Sequence, residues 1–330
     1  MTGRSEAPAP LRVWTVSEAK AGTLTQCLGV ARLLDPDPTI VTMRRRFQWW
    51  RPKLDFLPKL FSRGPPDIII SCGGKAQSHA MVIAACCRRR PFMVHLARPA
   101  PQFERRFDMA FASRHDLRDV GHEHPRFHAM VGVPHQIHAD AISARRAEAR
   151  RCFVPQGEPT VALLVGGPNK AYDFDQPTVD RLSATVFDLA EKGFRVLVST
   201  SRRSPPSLQE NISALRHDRV FVWNRQGENP YRDFLAAADY FIITADSVTM
   251  TCEALTTGKP TFTFALRHRP DGRYLQKFEW MHNDMQNTLG LTRNFEGELY
   301  DYAYEPLDET KRIGAMVQAE YAHRTKKKRR

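Results

Sequence analysis

Short apolar runs recur along the chain, each followed by a polar or glycine-bearing loop and then by a stretch of helical spacing. In the first half the runs are "LRVWTV" (11–16), "PDIIISCGG" (66–74), "PFMVHLA" (91–97) and "FDMAFAS" (107–113), with helices expected near 23–34 and over "QSHAMVIAACC" (77–87). Runs of this kind read as strands covered on both faces. Strands alternating with helices imply a parallel sheet. A polar helix and then a Pro- and Gly-bearing linker are expected at about 140–158.

A second series begins at once. It consists of "TVALLVGG" (160–167), a helix at about 177–192 with Leu182, Val186 and Leu189 on one face, "FRVLVST" (194–200), "RVFVW" (219–223), a helix "PYRDFLAAA", and the strand "ADYFIIT" (238–244). A short helix ending at Gly258 and a strand "TFTFAL" close it. The pattern predicts an α/β protein of two Rossmann-like, doubly wound domains facing each other across an interdomain cleft, residues 11–150 and 158–305. Ligands of such sheets collect outside the carboxyl ends of the strands.

Four loops of the second series therefore belong on one rim: "GGPNKAY" (166–172), "TSRRSPP" (200–206), "RQGENPY" (225–231) and "ADSVTM" (245–250). Gly166 and Gly167 admit a close backbone approach, Lys170, Arg202 and Arg203 supply positive charge, and a helix starting at Ser247 offers unpaired N–H groups and a favourable dipole. Asn169, Ser201, Asn229, Tyr231 and Asp246 line the same rim. This is a site for a phosphorylated ligand. Thr249 and Glu253 share a helix face about 6 Å apart along the axis. That spacing puts Val248 and Thr249 at a diphosphate and Glu253 at the hydroxyls of an attached ribose. The plainer reading makes Asp246 or Ser247 an N-cap, Glu253 part of a solvated face and Gly258 a C-cap.

Composition narrows the class. Of 330 residues, 42% are hydrophobic and 26% charged, which is globular, and no apolar run is long enough to cross a bilayer. The polar start "MTGRSEAPAP" lacks the apolar core of a secretory signal, so a cytoplasmic address is expected. Six cysteines without CxxC or zinc spacing predict free thiols. A net charge of +13 attracts anions and gathers in "RRRFQWWRPK" (44–53), "CCRRRP" (86–91) and "HRTKKKRR" (323–330).

"DSVTMTCEALTTGKP" resembles the nucleotide-binding segment of GT-B glycosyltransferases and sugar-nucleotide 2-epimerases. "VGGPNKAY", "TSRRSPP", "GENPY" and "TADSVTM", in this order, resemble the ELM-type mitochondrial fission family and its bacterial relatives over roughly residues 12–322. The resemblance implies a GT-B-like fold with the acceptor in the N-terminal domain and the donor nucleotide sugar in the C-terminal one. It also implies a last helix at about 308–322 that crosses back, leaving a disordered basic tail within 306–330. GT-B enzymes need no metal in general. "DPD" (35–37) is read as a turn and "DFD" (173–175) as a helix entry. His122, His124 and His128 in "GHEHPRFH" lack a usual zinc spacing. No metal or other cofactor is expected.

Inverting glycosyl transfer needs a base for the acceptor hydroxyl and positive charge for the leaving diphosphate. The rim above meets the second need. For the base, the candidates are Glu18, His79 and the pair His115 and Asp116. "EAKAGTLTQ" resembles the family's first loop, which carries Lys20, Gly22 and Gln26 over, while Glu18-Ala19 departs from its acidic-Gly start. "CGGKAQS" adds Gly73, Gly74, Lys75 and Ser78 as ligands for an anionic part of donor or acceptor, or as a structural turn. Arg44–Arg51, mixing cations with Phe47, Trp49 and Trp50, suits an anionic membrane surface. The expected protein is a glycosyltransferase acting on a cell-envelope glycan or lipid-linked acceptor at the inner leaflet, with no nucleic-acid partner. The alternative is a non-catalytic adaptor on the same fold, as in the mitochondrial fission relatives.

Overall fold

The computed structural model describes residues 11–43, 54–117, 126–270, 272 and 274–329. The chain forms two units, Met1–Gln136 with Asp308–Arg330, and Ile137–Leu307. Each is built on its own six-stranded parallel sheet.

The first unit runs β1 (Val13–Glu18), α1 (Ala21–Leu34), β2 (Thr39–Met43), α2 (Leu57–Arg63), β3 (Ile68–Cys72), α3 (Gly74–Cys86), β4 (Phe92–His95), β5 (Met109–Ser113) and β6 (Phe127–Met130). Its strand order is β2-β1-β3-β4-β5-β6. The pleat sorts consecutive apolar residues onto opposite faces. Val13, Ile68, Ile70 and Val94 pack with Cys27 and Val30 of α1, whereas Trp14, Val16, Ile69 and Met93 pack with Ala80 and Ile83 of α3. A strand buried on both faces needs no polar position, which is why these segments read as unbroken apolar runs.

The second unit runs α4 (Ala139–Phe153), β7 (Thr160–Val165), α5 (Gln176–Glu191), β8 (Arg195–Thr200), α6 (Pro206–Ala214), β9 (Val220–Val222), α7 (Tyr231–Ala237), β10 (Tyr240–Thr244), α8 (Val248–Leu255), β11 (Thr261–Phe264), α9 (Leu275–Asn283) and β12 (Arg293–Asn294), in the order β12-β11-β10-β7-β8-β9. Val161, Leu163 and Val165 face Leu182, Val186 and Leu189 of α5. Ala162, Leu164 and Phe241 face α4 and α7.

The division falls at Gln136, not at the expected 150. Helix α4 goes with the second unit because Ile142 and Ala149 join Phe234 and Leu235 of α7 in one cluster. The last helix, α10 (Glu309–Arg329), returns to the first unit and runs through most of the tail expected to be disordered. Its Ile313 and Val317 are fully buried against the face that carries α1, and the Thr310 hydroxyl accepts from the His135 amide at 2.8 Å. Among the described residues no helix is long and apolar enough to cross a membrane. The segment Arg44–Arg51, and His122 and His124, lie outside the described residues. His128 is on β6, its ring 5.2 Å from that of Phe111. All six cysteines are free thiols.

Candidate functional site

Because β7, β8, β9 and β10 are parallel, the loops after them leave the sheet along one edge. Asp246 ties three of them together. Its side chain is fully buried and accepts hydrogen bonds from the Gly167 amide (3.0 Å), the Thr244 hydroxyl (2.8 Å) and the Arg203 guanidinium (2.9 Å). Burial pushes the Asp246 carboxyl above its ordinary value, against the pull of these three donors. The Thr244 hydroxyl also accepts from the Gly166 amide at 2.8 Å.

The glycine pair serves this lacing. A Cβ on Gly166 would stand 2.1 Å from an Asp246 carboxylate oxygen, and one on Gly167 would stand 2.4 Å from the Arg203 backbone. The close approach read from the sequence is thus taken by neighbouring loops. Arg203, expected to neutralise a diphosphate, also donates to the Gly167 carbonyl at 3.0 Å. The Ser201 hydroxyl donates to the Gly166 carbonyl (2.7 Å), and the Asn169 carboxamide oxygen closes a turn on the amides of Ala171 (2.7 Å) and Tyr172 (2.9 Å). Asp246, Asn169, Ser201 and Arg203 build the loops. Arg202 and Lys170 are exposed on them, Lys170 lying 5.1 Å over the ring of Tyr274.

The Asp246 loop leads directly into α8. Ser247 is its N-cap in extended conformation, its hydroxyl accepting from the Met250 amide at 3.4 Å. By helix geometry the amides of Val248 and Thr249 have no carbonyl to bond within the helix. Both residues are half-buried. One turn on, Glu253 is buried rather than solvated, and the Tyr231 hydroxyl donates to its carboxylate at 2.6 Å. Burial raises Glu253 to about 7, opposed by the Tyr231 hydrogen bond. The Asn229 side chain accepts from the Tyr231 amide at 3.1 Å and so fixes the start of α7.

Three contributors escaped the sequence reading. Arg225 donates to the Ser201 carbonyl (2.9 Å), Thr244 relays between Gly166 and Asp246, and a ring nitrogen of His282 on α9 meets the Ala245 carbonyl (2.8 Å). Burial lowers the pKa of His282, so the neutral imidazole donates there from Nε2. No local pattern marks His282, whose partner lies in a different loop.

In the first unit, the carboxyl ends of β1 and β3 bring Glu18, Lys20, Gly73 and Lys75 together. Glu18 pairs with the Lys20 ammonium at 2.6 Å and accepts from the Lys75 amide at 3.2 Å. The Lys20 contact leads the effects that hold its carboxyl below the usual value. Gly22 is the second residue of α1, and Gln26 accepts from the Cys72 thiol at 3.2 Å. His79 is not on this rim. It sits inside α3, 7% exposed, edge-on to Phe56 and 3.8 Å from the Asp55 carboxylate. Asp116 lies in a 3-10 turn at Arg114–Leu117, its backbone carbonyl accepting from Arg98.

Solved structures share this architecture. UDP-GlcNAc 2-epimerase from Methanocaldococcus jannaschii superposes with a TM-score of 0.58 at 12% identity, covering 94% of this chain and 100% of that one. The glycotransferase of kitacinnamycin superposes with a TM-score of 0.51 at 15% identity, covering 95% and 91%. Two helix-flanked parallel sheets of this kind are the GT-B fold. Within that class, the family model described as "Mitochondrial fission ELM1" matches residues 21–321, and the chain belongs to that family. Mitochondrial fission protein ELM1 of Arabidopsis thaliana is 27% identical over 293 residues, 80% of this chain and 66% of that protein. An uncharacterized protein, RP120, of Rickettsia prowazekii (strain Madrid E) is 22% identical over 354 residues, 93% of this chain and 98% of that protein.

Proposed function

We propose that the second unit binds a nucleotide sugar at the start of α8 and that the protein transfers the sugar, with inversion and without a metal, to a glycan or lipid-linked acceptor. The observation that carries this reading is the lacing of the strand-end loops through Asp246, which ties the loops bearing Lys170 and Arg202 to the loop that leads into α8. The amides of Val248 and Thr249 take the diphosphate, and Arg202 and Lys170 offset the charge that grows as it leaves. Glu253, held by Tyr231 on one oxygen, keeps the other for a ribose hydroxyl. The resemblance to epimerase and transferase structures supports a nucleotide ligand: the Methanocaldococcus jannaschii 2-epimerase has been solved with UDP-GlcNAc and UDP. The acceptor falls to the loops around Lys20, Gly74 and Lys75, with its action at the inner membrane leaflet.

One observation favours a second reading, a non-catalytic adaptor. Glu18 is the candidate base at the first unit's strand ends, and its ion pair with Lys20 makes it a weak base. Thermal shift with UDP, GDP, CMP and ADP tests the donor site, since a ligand bound only to the folded state raises Tm. A shift with one nucleotide, lost in Arg202→Ala and Thr249→Val, is the expected result, and hydrolysis or transfer from the matching nucleotide sugar then separates enzyme from adaptor. No shift with any nucleotide would sink both the donor site and the transferase.

A further inference from the structure

We infer that the amino-terminal edge of the first unit's sheet is a docking face for an anionic lipid surface. It lies at the edge of the sheet opposite the loops of Lys20, Gly74 and Lys75 and apart from the nucleotide site, which is in the other unit, so it does not rest on the reading above. Four of the six strands in this sheet begin within three residues of an arginine: Arg12 before β1, Arg90 before β4, Arg106 before β5 and Arg126 before β6. The cationic end of α10 reaches the same edge. Arg324 pairs with Asp108, just before β5, at 2.8 Å and lies 5.5 Å over the ring of Phe92, the first residue of β4.

The cations here are of two kinds. Some hold the fold: Arg90 donates to both carboxylate oxygens of Asp108 (3.0 and 3.1 Å) and to the Arg106 carbonyl (2.7 Å), and Arg126 donates to the Arg105 carbonyl (3.1 Å). Ordinary loop and helix-end chemistry accounts for these. The others are Arg88, Arg89, Arg105, Arg106, Lys326 and Lys327, all exposed. Among the described residues, none of these six side chains has a hydrogen bond or an ion pair. They come from three separate stretches of sequence, and the first kind of contact holds those stretches side by side.

The shape selects the partner. Neighbouring strands lie about 4.8 Å apart, so cations at several strand starts spread across a breadth rather than along a groove. A plane of headgroups meets such a spread, at a gain of about fivefold in affinity per cation at the surface. Single-stranded nucleic acid calls for a tracking groove with successive aromatic platforms. An exposed ring beside this edge is Phe61, 85% exposed, two residues before the end of α2, where Gly64 packs against Arg12. A ring among cations suits insertion between headgroups.

Co-sedimentation of the full chain with vesicles tests the proposal, using phosphatidylcholine alone and equal parts phosphatidylcholine and phosphatidylglycerol. The chain is expected to sediment with the mixed vesicles only, and less so as salt is raised. Reversal of four arginines (R88E, R89E, R105E, R106E) is expected to weaken this by at least about two to three orders of magnitude, with the Tm and any nucleotide-induced shift unchanged. The pair K326E and K327E, on a different element, gives a partial loss and serves if the fourfold variant does not fold. Undiminished binding in both variants, or loss only on replacing Trp49 and Trp50, would overturn the proposal. So would charge-dependent retention of a random DNA duplex by a chain that ignores the vesicles.

Discussion

Glu253 shows how much chemistry one buried carboxylate concentrates. Its folded pKa of about 7 lies above its ordinary 4.5 because burial disfavours the charge more than the Tyr231 hydroxyl supports it. A raised carboxyl binds a proton more tightly in the folded chain, so its contribution to stability is complete below the ordinary value. That contribution is lost as pH rises from about 4.5 through about 7. The loss amounts to something on the order of 3 kcal/mol. Glu253→Gln keeps an acceptor for Tyr231 and abolishes the titration. Wild type and variant are therefore expected to melt together near pH 4 and to separate by pH 8, the variant being the more stable. Parallel curves of Tm against pH would show that Glu253 does not titrate in this range. The residue was found in the sequence through its spacing from Thr249, but its burial was not, because Tyr231 comes from a different helix.

At the scale of elements, the second unit depends on how α7 ends. Its last carbonyls are met by cations from other segments: Arg146 of α4 donates to the carbonyls of Ala236 and Ala238 (both 2.9 Å), Arg150 to that of Ala237 (3.0 Å), and Lys259 to that of Ala236 (3.1 Å). Asp239 binds both arginines and also accepts from the Thr160 amide at the start of β7 (2.9 Å). Arg146→Ala removes donors that these carbonyls share with Lys259 and Arg150, together with one of the two arginines on half-buried Asp239, and is expected to cost about 2 kcal/mol. Arg145, one residue earlier, forms a salt bridge with Asp233 at 2.8 Å from a side chain that is 47% exposed, and Arg145→Ala is expected to cost no more than about 0.5 kcal/mol. Urea denaturation of the two variants checks the contrast, and equal losses would mean that the capping adds nothing beyond a surface ion pair. These contacts also explain the misplaced boundary. In the sequence α4 is a polar helix before a linker, and its allegiance is written in Arg146 and Arg150, which look like solvated charges until α7 is seen.

For the whole molecule, what was legible followed from burial. Strands covered on both faces, such as "DIIIS" and "TVALLV", announce themselves without any partner being known, and the alternation with helices then gives parallel sheets and a common rim. Strand β2, with its exposed Ile40, and helices α6 and α9 did not announce themselves, because their apolar positions are few and their partners distant. The loops follow the ends of parallel strands as the alternation implies, yet Gly166 packs against Asp246 and Gly167 against Arg203, since a glycine's purpose depends on what approaches it. The return of α10 carries the clearest consequence for the whole chain. Ile313 and Val317 complete one face of the first sheet, and the Thr310 hydroxyl also donates to the His135 carbonyl at 3.0 Å. A fragment of residues 1–136 therefore lacks part of its core and is expected to show no cooperative melt, whereas residues 137–307 hold both faces of their own sheet and should melt cooperatively alone. Adding a peptide of residues 308–330 to the first fragment should restore a melt whose midpoint rises with peptide concentration. A cooperative melt of 1–136 without the peptide would mean that α10 is an ornament on the first unit and not part of its core.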